Sequence, residues 1–271
     1  MVELIDILGY VAAFIIGVVL GLIGGGGSIL TVPVFVYLLG IQPVIATGYS
    51  LFVVGTTALV GGLLYVKKQL VDFKTAIIFA TPAFIAVYLT RKFIITAIPD
   101  VLVSNDMFII TKEIALMIFF GAIMLAASFS MIRNKKQKEE EAAQKNQIVK
   151  YNIPAITIEG AVVGVITGLV GAGGGFMIIP ALVLFAKLPM KKAVGTSLII
   201  IAVKSLIGFI GDVENIEIEW GFLLLFSGIA IVGILLGTYI NKLIPGAKLQ
   251  KGFGWFVLLM AIYILINETV L

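Results

Sequence analysis

From Ile7 to Val66 the chain carries no Asp, Glu, Lys or Arg, an uncharged run of 60 residues. As one helix that run would measure about 90 Å, against roughly 30 Å of hydrocarbon in a bilayer. It must therefore fold back at least once, and glycine and proline mark the breaks. Gly24–Gly27 closes a first segment near Leu4–Ile23, and Gln42-Pro43 closes a short second one near Ser28–Leu39. A third runs from about Val44 to Val66, where Lys67-Lys68 ends it. The rest of the chain has the same character: 61% of its 271 residues are hydrophobic and 13% charged, about half the charge of a soluble domain. So few polar groups cannot cover a soluble surface, and a disordered chain is defined by the opposite composition. The solvent this sequence expects is lipid.

Further apolar segments lie near Phe73–Thr90 and Ile114–Ile132, and then near Ile153–Val170, Phe176–Ala186, Ala193–Gly211, Trp220–Ile240 and Phe253–Ile266. Between the two groups runs the one long polar stretch, 'RNKKQKEEEAAQKNQIVK' from Arg133. The predicted organisation is a first transmembrane repeat over 1–132, a linker over 133–152 and a second repeat over 153–271. A shift of 147 residues lays 'GLIGGGGSILTVPVFV' from Gly21 on 'GLVGAGGGFMIIPALV' from Gly168, and 'ATGYSL' from Ala46 on 'AVGTSL' from Ala193. Eleven of the 31 positions from Gly21 to Leu51 are identical under that shift. Gly61 then pairs with Gly208, and Asp72-Phe73 with Glu219-Trp220. Apolar helices resemble one another easily, but not with Gly, Pro and Ser held in register. The chain is a duplication.

Five segments per copy is an odd number, so the second copy should enter the membrane inverted. The fold class expected is an all-α polytopic membrane protein of two inverted-topology repeats, with 8–10 crossings or half-helices. Segments such as Ser28–Leu39 measure about 18 Å as helix, too short to span, and read as re-entrant half-helices. With the linker placed in the cytoplasm, fifteen of the nineteen basic residues fall in inside loops. Only Arg91, Lys92 and Lys112 fall outside, with acids such as Asp212, Glu214, Glu217 and Glu219. That bias predicts a multi-pass cell-membrane protein with both termini outside. The net charge of +4 reports orientation and not nucleic acid.

There is no cysteine and no histidine. This removes disulfides, thiol nucleophiles, Cys/His metal sites and histidine acid–base chemistry. With no paired intramembrane acids and no nucleotide loop, neither an enzyme nor a bound cofactor is expected. Glu3 and Asp6 stand where a signal peptide carries positive charge.

Candidate site residues fall in three groups. The first is the glycine clusters, Gly24, Gly25, Gly26 and Gly27 with Ser28, and Gly171, Gly173, Gly174 and Gly175. Each opens a new helix, whose first N–H groups are unpaired and partly positive, an arrangement that binds anions. The competing reading is tight helix crossing and nothing more. The second is Lys204, the one basic residue away from loops and segment ends. It reads as a counter-charge for an anion, or as a side chain snorkelling to an interface. Glu159 reads as interfacial, with Lys204 as an alternative partner. The third is Thr47 and Ser50, with Thr196 and Ser197 in the matching stretch of the second half, hydroxyls that either donate to an oxyanion or bond back to the preceding turn.

The doubled pattern 'GLIGGGGSILTVPVFVYLLGIQPVIATGYSL' and 'GLVGAGGGFMIIPALVLFAKLPMKKAVGTSL' resembles the sulfite exporter TauE/SafE family, which includes 4-toluene sulfonate uptake permease-like transporters. The resemblance covers nearly the whole chain. It implies a permease with duplicated halves for sulfite, sulfonates or related organic and sulfur-containing anions. Its motif positions here are Gly24, Gly26, Gly27, Pro33, Gly48 and Ser50, then Gly171, Gly173, Gly174, Pro180, Gly195, Thr196 and Ser197. Lys204 departs from it, standing where relatives often place a small or amide side chain. The expected function is a secondary transporter of a small anion working by alternating access, coupled to H+ or Na+ or facilitating diffusion. The alternative is a membrane-embedded binding or assembly protein. The expected partners are the small anion and the lipid bilayer.

Overall fold

A computed structural model describes residues 2–25, 27–105, 108–133, 153–170, 175, 178–179, 182, 186, 188–213, 216–241 and 246–270. The linker after Arg133 and most of the segment 176–186 lie outside the described residues.

The first helix, α1, spans Val2–Ile23. The glycine turn follows, with Gly24 at φ +79°, a left-handed conformation that only glycine adopts without strain. α2 is a short buried helix, Ser28–Pro33, widening into a π-type turn over Val34–Leu38. α3 spans Pro43–Lys67, with proline in its first turn where a missing N–H costs nothing. α4 spans Phe73–Leu89, and the carboxylate of Asp72 caps it by accepting the Thr75 N–H at 2.9 Å. A second π-type turn, Thr90–Ile94, leads into α5, Ile95–Ala97. The hairpin β1 Val101–Asn105 and β2 Phe108–Thr111 precedes α6, Lys112–Arg133. The second half comprises α7 Ile153–Val170, α8 Met190–Ile210, α9 Trp220–Ile240 and α10 Gly246–Val270.

The protein is an all-α polytopic membrane protein, and among the described residues that hairpin is the one element that is not helical. Pro43–Lys67, Phe73–Ala97, Lys191–Ile210 and Trp220–Ile240 are long and apolar enough to cross a bilayer. The outward faces of α9 and α10 carry exposed Leu224, Leu225, Val232, Leu236, Trp255, Phe256, Leu259 and Ile266. A continuous apolar exterior of this kind is stable only against lipid.

The packing pairs the two halves with each other. α1 lies on α9 and α7 on α4; α3 lies on α8 and α9, and α8 also on α4; α6 lies on α10. Exchanging the halves, first segment for first and fourth for fourth, returns the same set of pairs. Small residues permit the close approach. A Cβ on Gly21 would stand 2.6 Å from the Ile234 carbonyl oxygen, and one on Gly168 would stand 2.7 Å from the Thr90 Cβ. Along α3, Gly48, Gly55 and Gly62 meet Asp212, Leu206 and Ile199 in turn, so α3 and α8 run antiparallel. One hydrogen bond is duplicated under the 147-residue shift. The Asp72 N–H donates to Thr196 Oγ1 at 2.9 Å, and the Glu219 N–H donates to Tyr49 Oη at 2.7 Å.

The sequence ends the fourth segment at Thr90 and puts Arg91 in an aqueous loop, with Asp212 in another. The structure corrects both. The helical path continues through the wide turn to Ala97, and Arg91 is fully buried, with Asp212 3% exposed. Lys204 is therefore not alone as a cation inside the helical bundle. The hairpin over 101–111 is a second difference, since that stretch reads as an outside loop in sequence.

Candidate functional site

Gly25 of the first glycine turn meets Gly175, the last residue of the second cluster, inside the bundle. A Cβ on Gly25 would stand 2.6 Å from the Gly175 carbonyl carbon, so backbone lies directly on backbone. Gly27 is equally enclosed, 2.6 Å from the Leu20 nitrogen by the same measure. Ser28 Oγ donates back to the Gly25 carbonyl at 2.7 Å. Gly26, Gly171, Gly173 and Gly174 lie outside the described residues.

α8 supplies one wall of this crossing. Ser197 Oγ donates to the Val194 carbonyl at 2.8 Å and to the Gly24 carbonyl at 3.2 Å, tying α8 to the first turn. The Ile201 side chain abuts Gly175. Lys204 follows on the same stripe, since positions 197, 201 and 204 are spaced i, i+4, i+7. Its side chain is fully buried, and Nζ donates to Thr167 Oγ1 at 2.9 Å. Thr167 sits in the last turn of α7, four residues before Gly171. The ammonium thus lies at the negative end of α7, beside the entry to the second glycine cluster. Among the described residues Lys204 has no carboxylate within ion-pair distance. The alternative partner, Glu159, makes no ion pair with it.

The remaining predicted hydroxyls separate. Ser50 is buried on α3, and its Oγ has no hydrogen-bond partner. Thr196 accepts the Asp72 N–H, fixing the start of α4. Thr47 turns away from the glycine crossing to a second polar centre that sequence reasoning missed. There Arg91 Nε donates to both oxygens of Asp212, at 2.8 and 2.7 Å, and Nη2 also donates to Oδ2. Nη1 donates to Thr47 Oγ1 at 2.9 Å and to the Gly168 carbonyl at 3.2 Å. Burying two charges costs several kcal/mol each, and only close, multiply bonded geometry offsets it. Gly48 leaves room for the pair: a Cβ there would stand 3.0 Å from Asp212 Oδ2. Arg91 and Lys204 therefore both approach the C-terminal turn of α7. One is neutralised by a carboxylate and the other bonds a hydroxyl.

At the Arg91–Asp212 end of the bundle two neighbouring cavities, of about 430 and 570 Å³, share Gln42, Ile45 and Glu217. Glu219 lines the first, and Asp100 and Glu113 line the second. Tyr49 and Phe222 form the aromatic wall of the smaller one.

The family model described as Sulfite exporter TauE/SafE matches residues 10–264. The chain belongs to this family. It is accordingly a multi-pass membrane protein of a transporter family. A probable membrane transporter protein of Xylella fastidiosa (strain 9a5c) is 28% identical over 254 residues, covering 93% of this chain and 91% of its own. The probable membrane transporter protein YunE of Bacillus subtilis (strain 168) is 29% identical, covering 85% and 89%. MJ0441 of Methanocaldococcus jannaschii, also named a probable membrane transporter protein, is 32% identical over 41% of this chain and 44% of its own. No solved structure matches the chain at a significant level.

Of the residues missed in sequence, Thr167 had a usable signal, a lone hydroxyl in the turn before 'GLVGAGGG'. Arg91 had a weaker one: its segment is uncharged from Thr75 to Thr90, so extending the helix by one turn would enclose it.

Proposed function

We propose that the chain is a secondary transporter moving a small anion, namely sulfite, a sulfonate or a related organic or sulfur-containing anion, by alternating access. The observation that carries this reading is Lys204. It is a fully buried lysine with a neutral oxygen as its bonded partner, on the helix that also walls the close approach of Gly25 to Gly175. A cation in apolar surroundings is costly, and a transient anion is the ligand that lowers that cost. Ser50, with a free buried hydroxyl, and Thr167 are the hydroxyl donors within the same group of helices, while Ser197 donates to the Val194 and Gly24 carbonyls. Gly24, Gly25, Gly27 and Ser28 supply backbone of the first turn, and Gly175 lies against it.

Support for two inverted repeats comes from the antiparallel pairing of α3 and α8, from helix contacts unchanged on exchanging the halves, and from the duplicated hydrogen bond. Rocking of one repeat against the other would expose the site to each side in turn. The charge bias puts Lys68 and Lys191 at the cytoplasmic end and Glu217 and Glu219 at the outer end. Sulfite flux into proteoliposomes tests the proposal. Wild-type protein is expected to carry saturable sulfite flux, and Lys204→Ala to lose at least tenfold of it. Wild-type vesicles no leakier than empty ones, with sulfite and methanesulfonate both tried, would sink the transport reading.

A further inference from the structure

The end of the bundle opposite Arg91 and Asp212 contains a cavity of about 380 Å³ lined by Tyr65, Lys68, Leu70, Lys191, Thr238 and Asn241. α3 links the two ends, and Thr47 and Tyr65 are about 27 Å apart along it at 1.5 Å per residue. The 147-residue shift gives this cavity a counterpart. Thr238 corresponds to Arg91, and Tyr65 to Asp212. The correspondence also holds in contacts. Gly168 packs on Thr90, and Gly21 packs on Gly237 and the Thr238 nitrogen. Arg91 donates to the Gly168 carbonyl, and the Asn241 amide donates to the Leu22 carbonyl. Each half thus closes the end of the other's first helix with a side chain from its own fourth segment.

The two places differ in what fills them. At one, a guanidinium and a carboxylate occupy the space and cancel in charge. At the other, threonine replaces arginine, its hydroxyl donates to the Leu235 carbonyl at 2.9 Å, and the space stays open. Two lysines line it, one of them with Nζ 5.2 Å from the centre of the Tyr65 ring. The other polar groups among the described lining residues are Tyr65, Thr238 and Asn241. We propose that this cavity is a second anion-binding site, an admission site where Lys68 and Lys191 hold a small oxyanion before it reaches Lys204. In the first half, the corresponding place already encloses a carboxylate of the protein's own.

The role of admission rests on the anion-transport reading, but binding is measurable without it. The probes are sulfite and methanesulfonate, titrated onto purified full-length protein in detergent at constant ionic strength, with thermal stability read at each step. Wild type is expected to show a saturable rise in Tm. Lys68→Gln with Lys191→Gln should weaken the apparent affinity at least tenfold, and exposed Lys74→Gln should leave it within twofold. Both lysines of the pair are exposed, so the double variant is expected to fold. Thr238→Met, which fills the cavity and keeps both lysines, should weaken binding similarly. No saturable shift in wild type with either probe overturns the proposal, as does unchanged affinity in the double variant or an equal loss in Lys74→Gln. Flux separates the two readings. Transport with lysine-independent binding removes this site and leaves the transporter; lysine-dependent binding without transport does the reverse.

Discussion

Asp212→Ala is the perturbation with the largest expected effect on stability. The Arg91 side chain is fully buried and that of Asp212 is 5% exposed, so the alanine strands a guanidinium whose Nε and Nη2 both face the lost carboxylate. Removing one partner of a buried pair costs about 3–5 kcal/mol. Arg91→Met strands the carboxylate in the same way, and its cost falls in the same range of about 3–5 kcal/mol. The double variant leaves no buried charge at positions 91 and 212. It loses the Arg91 bonds to Thr47 and the Gly168 carbonyl, at about 1 kcal/mol each, and a small volume at position 212. Its cost should be about 2–3 kcal/mol, less than either single variant. Reversible denaturant unfolding in mixed micelles, carried through the full double-mutant cycle, measures the coupling. At least about 3 kcal/mol is expected, and additivity within about 0.5 kcal/mol would refute the description of these residues as one desolvated unit.

Four further outcomes use the same unfolding measurement, the last together with flux. Gly228→Ala, on a face of α9 with nothing within 4 Å, should stabilise by about 0.5–1 kcal/mol through helix propensity. Gly233→Ala on the same helix places a methyl against the Phe14 carbonyl and 3.0 Å from the Val18 nitrogen, and should cost about 1–3 kcal/mol; a gain there would contradict the α1–α9 crossing. Thr196→Val and Tyr49→Phe each leave a backbone N–H, of Asp72 or Glu219, without its acceptor. Each should cost about 1–2 kcal/mol, and a large difference between them would break the equivalence of the halves. Lys204→Met removes a buried amine whose insertion costs about 2.5–3.5 kcal/mol. It should therefore raise stability while lowering sulfite flux, and a destabilised variant would show that Lys204 serves packing.

The features legible in sequence were those carried by period and register. The uncharged run required folding back in lipid, and the segments near Leu4–Ile23, Val44–Val66 and Trp220–Ile240 became α1, α3 and α9. The glycine clusters were visible because breaks are rare inside apolar segments. Whether they bind or merely cross is a matter of backbone distance, and at Gly25 and Gly175 the close approach is real. The fate of single charges was not legible. A charge at the end of an apolar segment normally marks the water, and only the partner decides otherwise. Asp212 lies 121 residues from Arg91, and no local pattern joins them. The hairpin over 101–111 escaped for a related reason: its short strands are stabilised by pairing with each other, which the segment pattern does not encode.

The 147-residue correspondence holds more tightly for the frame than for the chemistry. Tyr49 and Thr196 differ in size and type, yet each accepts the N–H of the matching cap residue, Asp72 or Glu219. Only an acceptor oxygen at that place is required, so the side chain carrying it is free to vary. Position 57 and its counterpart 204 show the limit of that freedom. Both are fully buried; one is a threonine whose hydroxyl has no partner and the other a lysine bonded to Thr167. A lysine at one of two corresponding buried positions and a threonine at the other present an asymmetric field to anything between them. That asymmetry has a consequence for mutagenesis. Thr57→Lys with Lys204→Thr moves the charge to the other copy without changing composition. If the anion is held chiefly by charge at the crossing, the swapped protein should recover part of the flux lost in Lys204→Thr alone. If it is held by contacts particular to α8, including Ser197 and Thr167, the swap should recover none.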